Sequence, residues 1–185
     1  DILMEHAAEG IARFIRQKFA NNSKIIVVCG SGNNGADGMA LARLLHGDYD
    51  VHIFFVKELS SEMAKLQNAR AHAVGVKVTI ELNDCDVLVD AIVGTGFSGV
   101  FNYEVNAVMQ TMNKLKAFKV ACDVPSGLKA DGQCDENTFI ADISLTMGAL
   151  KKSMFSDGAK EFVGDIKVMD LGVTRALYET PSKWN

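Results

Sequence analysis

Proline, cysteine, histidine and basic charge are all in short supply, and each shortage removes a class of protein. Two prolines occur in 185 residues, Pro125 and Pro181, so no proline-rich spacer divides the chain. There are four cysteines, Cys29, Cys85, Cys122 and Cys134, and no C-x-x-C pair. Cys29 and Cys122 sit inside apolar runs, where a thiol behaves as a small hydrophobe. A disulfide scaffold is therefore not expected, and a reducing cytoplasmic location is. The four histidines, His6, His46, His52 and His72, match no metal-ligand spacing. Lysine plus arginine number 19 against 23 acidic residues, a net charge of −4, which argues against a nucleic-acid partner. No apolar run approaches the roughly 20 residues of a membrane helix, so no membrane partner is expected. No basic-then-apolar leader is visible and the first residue is not Met. We therefore expect no secretory signal and a trimmed or partial chain.

What remains is ordinary for a folded domain: 48% hydrophobic and 23% charged residues, in a length suited to one domain with a real core. Residues 2–20 carry Leu3, Ala7, Ile11, Phe14 and Ile15 at helical spacing. Lys24–Cys29 is a continuous apolar run, the signature of a strand buried on both faces of a parallel sheet. Helix is expected over Gly38–His46, strand over Val51–Val56, and a helix capped at Ser60-Ser61-Glu62 and running to about His72. Strands follow at Val76–Ile80 and Asp86–Val93, helix at Asn102–Lys116, and strands at Lys119–Val124, Asp142–Met147 and Asp165–Leu171. Strands alternating with helices predict βαβ units and a parallel sheet covered on both faces. Residues 1–173 are expected to form one domain, with 174–185 as a tail.

Three of the strand ends are unusual. The first carries CGSGNNGADG (residues 29–38), the second Asp90-AIVGTGFSG and the third Asp123-VPSG. Ligands of open α/β sheets bind at such ends. Gly30, Gly32 and Gly35 spell G-x-G-x-x-G, the dinucleotide fingerprint. A dehydrogenase would also need an acid at the end of the second strand. That strand ends Phe54-Phe55-Val56-Lys57, and Glu58 falls past it. Asp37, placed in the first turn of the helix, would repel a pyrophosphate resting there.

The three motifs, in this order and spacing, resemble the NAD(P)H-hydrate epimerase family, the N-terminal part of a bifunctional NAD(P)H-hydrate repair enzyme. The opening Ile2-LMEHAAEG and the late Thr146-MGALKKSMFSDGAKEFVGDIKVMDLGV are also similar to that family, so the likeness covers about residues 2–173. It implies a Rossmann-like three-layer αβα sandwich with a mostly parallel central sheet. It implies interconversion of the R and S forms of hydrated NADH and NADPH at carbon six of the nicotinamide ring, a metabolite repair reaction. A homodimer is implied too, as is a partnership or fusion with an ATP- or ADP-dependent dehydratase. By motif, Asn33, Asn34, Gly35, Ala36 and Asp37 match the family's substrate-contacting loop. Gly94, Thr95, Gly96, Phe97, Ser98, Gly99 and Val100 match the loop against the substrate phosphates. Asp123 matches the aspartate at the reacting ring, and Asn34, Asp90 and Ser126 match the ligands of a potassium ion. Ala36 departs from the family's usual glycine, which a negative φ would tolerate.

The residue chemistry agrees. Asn34, Asp90 and Ser126 offer hard oxygen donors with one charge, which suits a monovalent cation better than zinc. Gly94-Thr95-Gly96 can turn backbone amides toward phosphates. A carboxyl near the hydroxyl of the hydrated ring can protonate it and then activate water, and Asp123 is the candidate. Plainer roles stay open: Asp37 as a helix-turn charge, Asp90 as a strand-end cap, Asp123 and Ser126 as parts of the Pro125 turn. Lys151-Lys152 is a solvated pair or faces the ligand. Met109, Met112, Met147 and Met154 are expected to fill core gaps. Two rival functions remain: a nucleotide-dependent dehydrogenase, and a non-catalytic nucleotide- or partner-binding domain.

Overall fold

The computed structural model describes residues 1–173, and the expected tail over 174–185 lies outside the described residues. Seven parallel strands form one sheet. They are β1 (Lys24–Cys29), β2 (Asp50–Phe55), β3 (Lys77–Val78), β4 (Val87–Ala91), β5 (Phe118–Cys122), β6 (Ile143–Met147) and β7 (Asp165–Met169), in spatial order β3-β2-β1-β4-β5-β6-β7. Helices α1 (Ile2–Lys18), α2 (Asn33–Leu45), α3 (Glu62–Ala73), α4 (Tyr103–Lys114) and α5 (Lys160–Val163) complete the elements. The result is the expected Rossmann-like αβα sandwich, and its sheet is wholly parallel.

Alternation along β1 splits the core in two, because successive side chains point to opposite faces. Ile25, Val27 and Cys29 join α1, α2 and α3 on one face; Ile26 and Val28 join Val105, Met109 and Met112 of α4 on the other. The five β1 side chains from Ile25 to Cys29 are fully buried, and each aliphatic one contributes roughly 1.5–3 kcal/mol by leaving water. That is why β1 reads as an unbroken apolar run rather than an alternating one. A third, smaller cluster of Val124, Leu128, Met154, Ala159 and Val163 seals the segment between β5 and β7.

The chain leaves β1 toward β2 and later returns to place β4 on the opposite side of β1. The crevice between the β1 and β4 carboxyl ends is thus the topological switch point, where such sheets bind ligands. Two glycines let α2 reach it. A Cβ on Gly35 would lie 2.0 Å from the Gly30 carbonyl oxygen, and one on Gly38 would lie 2.6 Å from the Ala91 Cβ. A side chain at either position would push α2 off the sheet.

Several boundaries differ from expectation. α2 begins at Asn33, five residues before the expected Gly38, so the asparagine-rich motif is helix rather than loop. Local propensity favours a turn there, but burial of Gly35, Ala36 and Gly38 against the strands outweighs it. Asp37 is consequently the fifth residue of α2 and not in its first turn. The expected strand Val76–Ile80 shrinks to the two-residue edge strand β3, with Ile80 88% exposed. Residues 152–159 form two short 3₁₀ turns that the sequence pattern did not announce. The serine cap holds, with the Ala64 N–H donating to Ser61 Oγ at 3.0 Å, and Asn102 caps α4 in the same way.

Candidate active site

A cleft of about 590 Å³ opens at the carboxyl ends of the central strands. Its walls are the β1–α2 turn, the tip of β2, the segment after β4 and the ends of β5 and β6. Asn33, Asn34, Asp37, Gly94, Thr95, Gly96, Phe97, Ser98 and Asp123 all line it. Other expected contacts lie elsewhere. Gly35 and Ala36 lie on the buried face of α2, Ala36 with a negative φ and no exposure. Gly99 and Val100 fall outside the lining, and Val100 is 80% exposed. Phe97 stacks on Phe101 with ring centroids 4.3 Å apart, giving the wall after β4 an aromatic brace.

Asp123 stands just past β5 with φ +74°. The Val124 N–H donates to the Cys122 carbonyl across it at 3.2 Å, a γ-turn that is rare and costly for a non-glycine residue. The surroundings hold it there. Its Oδ1 accepts from the Met147 N–H at 3.1 Å and the Thr146 hydroxyl at 3.2 Å, and meets Lys151 Nζ at 2.7 Å. Lys151 Nζ also donates to the Met147 carbonyl at 2.6 Å. Lys151 therefore faces the site and is not part of a solvated pair. Asp123 makes more than a proline turn, because its carboxylate collects three donors from the β6 end. Met147 lines the cleft, whereas Met109, Met112 and Met154 fill the core as expected.

Asp37 enters from α2 and is nearly buried. Burial pushes its carboxyl up to about 7, and the negative charge of Asp123 pushes the same way. Asp37 thus releases its proton only near neutrality, while the Asp123 carboxylate is held against a lysine ammonium.

Asp90 and Ser126 lie beneath the cleft, both fully buried. Asp90 Oδ1 accepts from Ser126 Oγ at 2.7 Å and from the Ile92 N–H at 3.1 Å; Oδ2 accepts from the Ser126 N–H at 2.7 Å. The Val93 N–H donates to Ser126 Oγ at 3.0 Å. The Ile92 bond is the strand-end cap considered above, but the two Ser126 bonds tie the β4 end to the β5 turn. Burial raises the Asp90 carboxyl to about 6 against these hydrogen bonds. The buried Asn34 Nδ2 has no partner. Among the described residues, no group of three or more histidine, cysteine or acidic side chains forms a metal-binding cluster.

Sequence reasoning missed part of the lining. Ser31, Val56, Lys57, Phe101, Val105 and Met147 also face the cleft. The tip of β2, examined for a ribose-binding acid, presents Lys57 instead. No helix among the described residues is long and apolar enough to cross a membrane.

The chain matches the model of the family described as YjeF-related protein N-terminus over residues 1–153. The bifunctional NAD(P)H-hydrate repair enzyme Nnr of Helicobacter pylori is 41% identical over 98% of this chain and 40% of its own length. The corresponding Archaeoglobus fulgidus enzyme is 35% identical over 95% of this chain and 38% of its own length. The chain thus spans about two-fifths of these relatives. The NAD(P)H-hydrate epimerase of Rhodopirellula baltica is 34% identical over 95% of this chain and 77% of its own length. The crystal structure of yeast ynu0 superposes with a TM-score of 0.76 at 20% identity, covering 97% of this chain and 86% of that one, a likeness of fold.

Proposed function

This chain belongs to the family of YjeF-related protein N-termini, and from that premise we propose that it is an NAD(P)H-hydrate epimerase, an isomerase of nicotinamide nucleotide repair. The observation that carries the reading is the carboxyl pair at the switch-point cleft, with Asp37 held protonated to about pH 7 and Asp123 held against Lys151.

The reaction breaks and remakes a carbon–oxygen bond at carbon six. The ring nitrogen's electron pair expels the hydroxyl, which takes a proton from Asp37 and departs as water, leaving a ring iminium. Water then adds to the opposite face of carbon six, giving a proton to the Asp123 carboxylate while the electron pair returns to nitrogen. The carboxyls end with their protonation exchanged, ready for the other epimer, so conversion runs in both directions. Positioned proton transfer of this kind contributes about 10²–10⁴ in rate. The Gly94–Gly96 turn lines the cleft and can offer backbone amides to the pyrophosphate.

We assign Asn34, Asp90 and Ser126 to a potassium ion. The support is a fully buried carboxylate that forms no ion pair among the described residues and an Asn34 amide whose buried Nδ2 has no partner among them. Turned by 180°, that amide would offer its oxygen to a cation. One carboxylate among neutral oxygens suits a single positive charge. The ion would order the three strand ends and offset the Asp90 charge.

The four cysteines are all free, which supports a reducing cytoplasm. The exposed Ile2 and Leu3 of α1 support a homodimer contact. The bifunctional name and greater length of the Nnr relatives support fusion to, or action beside, a second activity, which we take to be an ATP- or ADP-dependent NAD(P)H-hydrate dehydratase.

The test is an epimer-resolved chromatographic assay on hydrated NADH with wild type, Asp123→Asn and an enzyme-free control. Acceleration by wild type alone supports the reading. Binding of the hydrate without acceleration would leave the non-catalytic binding domain.

A further inference from the structure

We propose that Lys57 receives the 2′-phosphate of the adenosine ribose and makes the cleft prefer hydrated NADPH to hydrated NADH. The inference rests on the epimerase reading and extends it to substrate choice. If the reacting ring lies at Asp123 beyond β5, the other end of the dinucleotide must run along the sheet edge toward β2. From β5 to β2 is three strand spacings through β4 and β1, about 14 Å at roughly 4.8 Å each. That span is comparable with a pyrophosphate flanked by two riboses. Val56 and Lys57, at the tip of β2, form the far wall of the same continuous cleft.

In dinucleotide-binding sheets this strand tip reads the ribose. An acid there bonds the free 2′-hydroxyl, whereas a nearby cation accommodates a 2′-phosphate. Here the tip carries an ammonium and no carboxylate from the lining. Lys57 is the one cation among the described residues lining the cleft, whose other charged groups are Asp37 and Asp123. It is exposed and forms no ion pair among the described residues, whereas Lys151 is committed to Asp123. Its neighbour Glu58 is exposed and lies outside the lining. The wall is also fixed in place. The Ser60 and Ser61 N–H groups both donate to the Ser31 carbonyl, at 3.1 and 3.2 Å, tying the turn after β1 to the turn after β2. The pyrophosphate has its own amides at the β1/β4 crevice, so an unpaired lysine one strand farther out is surplus to it.

Two measurements test this. In the first, kcat/KM is compared for the two hydrates. Wild type should favour hydrated NADPH by about tenfold, the scale of one solvent-facing charge contact, and the margin should narrow at high salt. Lys57→Ala should bring the ratio to near one, and Lys57→Arg should restore it. A wild-type ratio of one, or a Lys57→Ala loss shared equally by both hydrates, overturns the proposal; the shared loss would make Lys57 a pyrophosphate contact. In the second, calorimetry compares adenosine 2′,5′-bisphosphate with 5′-AMP. Wild type should bind the bisphosphate about tenfold more tightly, and Lys57→Ala should lose that margin; equal affinities overturn the assignment. Because calorimetry needs no turnover, a protein that epimerises neither hydrate yet keeps this margin would refute the epimerase reading and leave Lys57 in its place.

Discussion

Lys151 Nζ lies 2.7 Å from Asp123 Oδ1, bringing together a residue beyond β6 and a residue beyond β5. The same ammonium bonds the Met147 carbonyl, so it is held by backbone as well as by charge. Lys151 thus pins an aspartate whose backbone is already in an unfavourable conformation. Strain of this kind survives only where the surroundings over-determine it, and here they aim one carboxylate into the cleft.

Asp123→Asn should keep the fold, because asparagine is among the few residues that tolerate positive φ. It should lower the epimerisation rate by roughly 10²–10⁴ with little change in melting temperature. Equal loss of rate and melting temperature would make Asp123 a structural residue.

Lys151→Met removes the positive charge and keeps most of the apolar stem. The Asp123 carboxylate then loses the cation 2.7 Å from its Oδ1 and one of its three donors, so its aim into the cleft loosens. The rate should fall about tenfold, the equivalent of one charge-assisted contact of about 1.5 kcal/mol, and Lys151→Arg should keep most of the wild-type rate. Equal rates for wild type and Lys151→Met would remove Lys151 from the mechanism.

Asp37→Asn should change how stability depends on pH. The folded-state pKa of about 7 stands above the ordinary 3.8. Between those values the unfolded chain has released the proton and the folded chain has kept it, so wild-type stability falls as pH rises from about 4 to about 7. The cost approaches an upper limit on the order of 4 kcal/mol above pH 7. The variant's melting temperature should therefore gain on wild type steadily from pH 4 to pH 7 and hold that gain above it. Parallel curves would mean that Asp37 ionises normally.

Potassium should raise the melting temperature of wild type, since an ion that binds only the folded state stabilises it by mass action, about 2.7 kcal/mol at a hundredfold excess over Kd. Asp90→Asn should abolish the potassium dependence, whatever its effect on the baseline. A melting temperature insensitive to potassium over sodium would remove the ion from Asn34, Asp90 and Ser126.

The layered fold was legible because it depends on patterns that local sequence carries. Runs such as Ile25–Cys29 and Val87–Val89 are apolar throughout, which only a strand covered on both faces requires. The three motif-bearing strand ends were legible for a related reason: glycine and polar residues directly after a buried strand mark the edge where the backbone opens to a ligand. The amino end of α2 was misread, because the asparagines favour a turn locally and only packing of Gly35, Ala36 and Gly38 on β1 and β4 makes the segment helical.

The sequence by itself determined the strand–helix alternation, the parallel sheet and the identity of the groups available at its carboxyl edge. Only the tertiary structure decided their states: that Asp37 is nearly buried in the cleft wall, where burial and the Asp123 charge raise its carboxyl, that Asp123 is bent to positive φ and met by Lys151, and that Lys57 is the one cation among the described residues lining the cleft. The physical reason is range. Apolar patterning acts between neighbours in the chain, whereas burial and Coulombic interaction act between neighbours in space, and those are chosen only when β5, β6 and α2 have closed around one cleft.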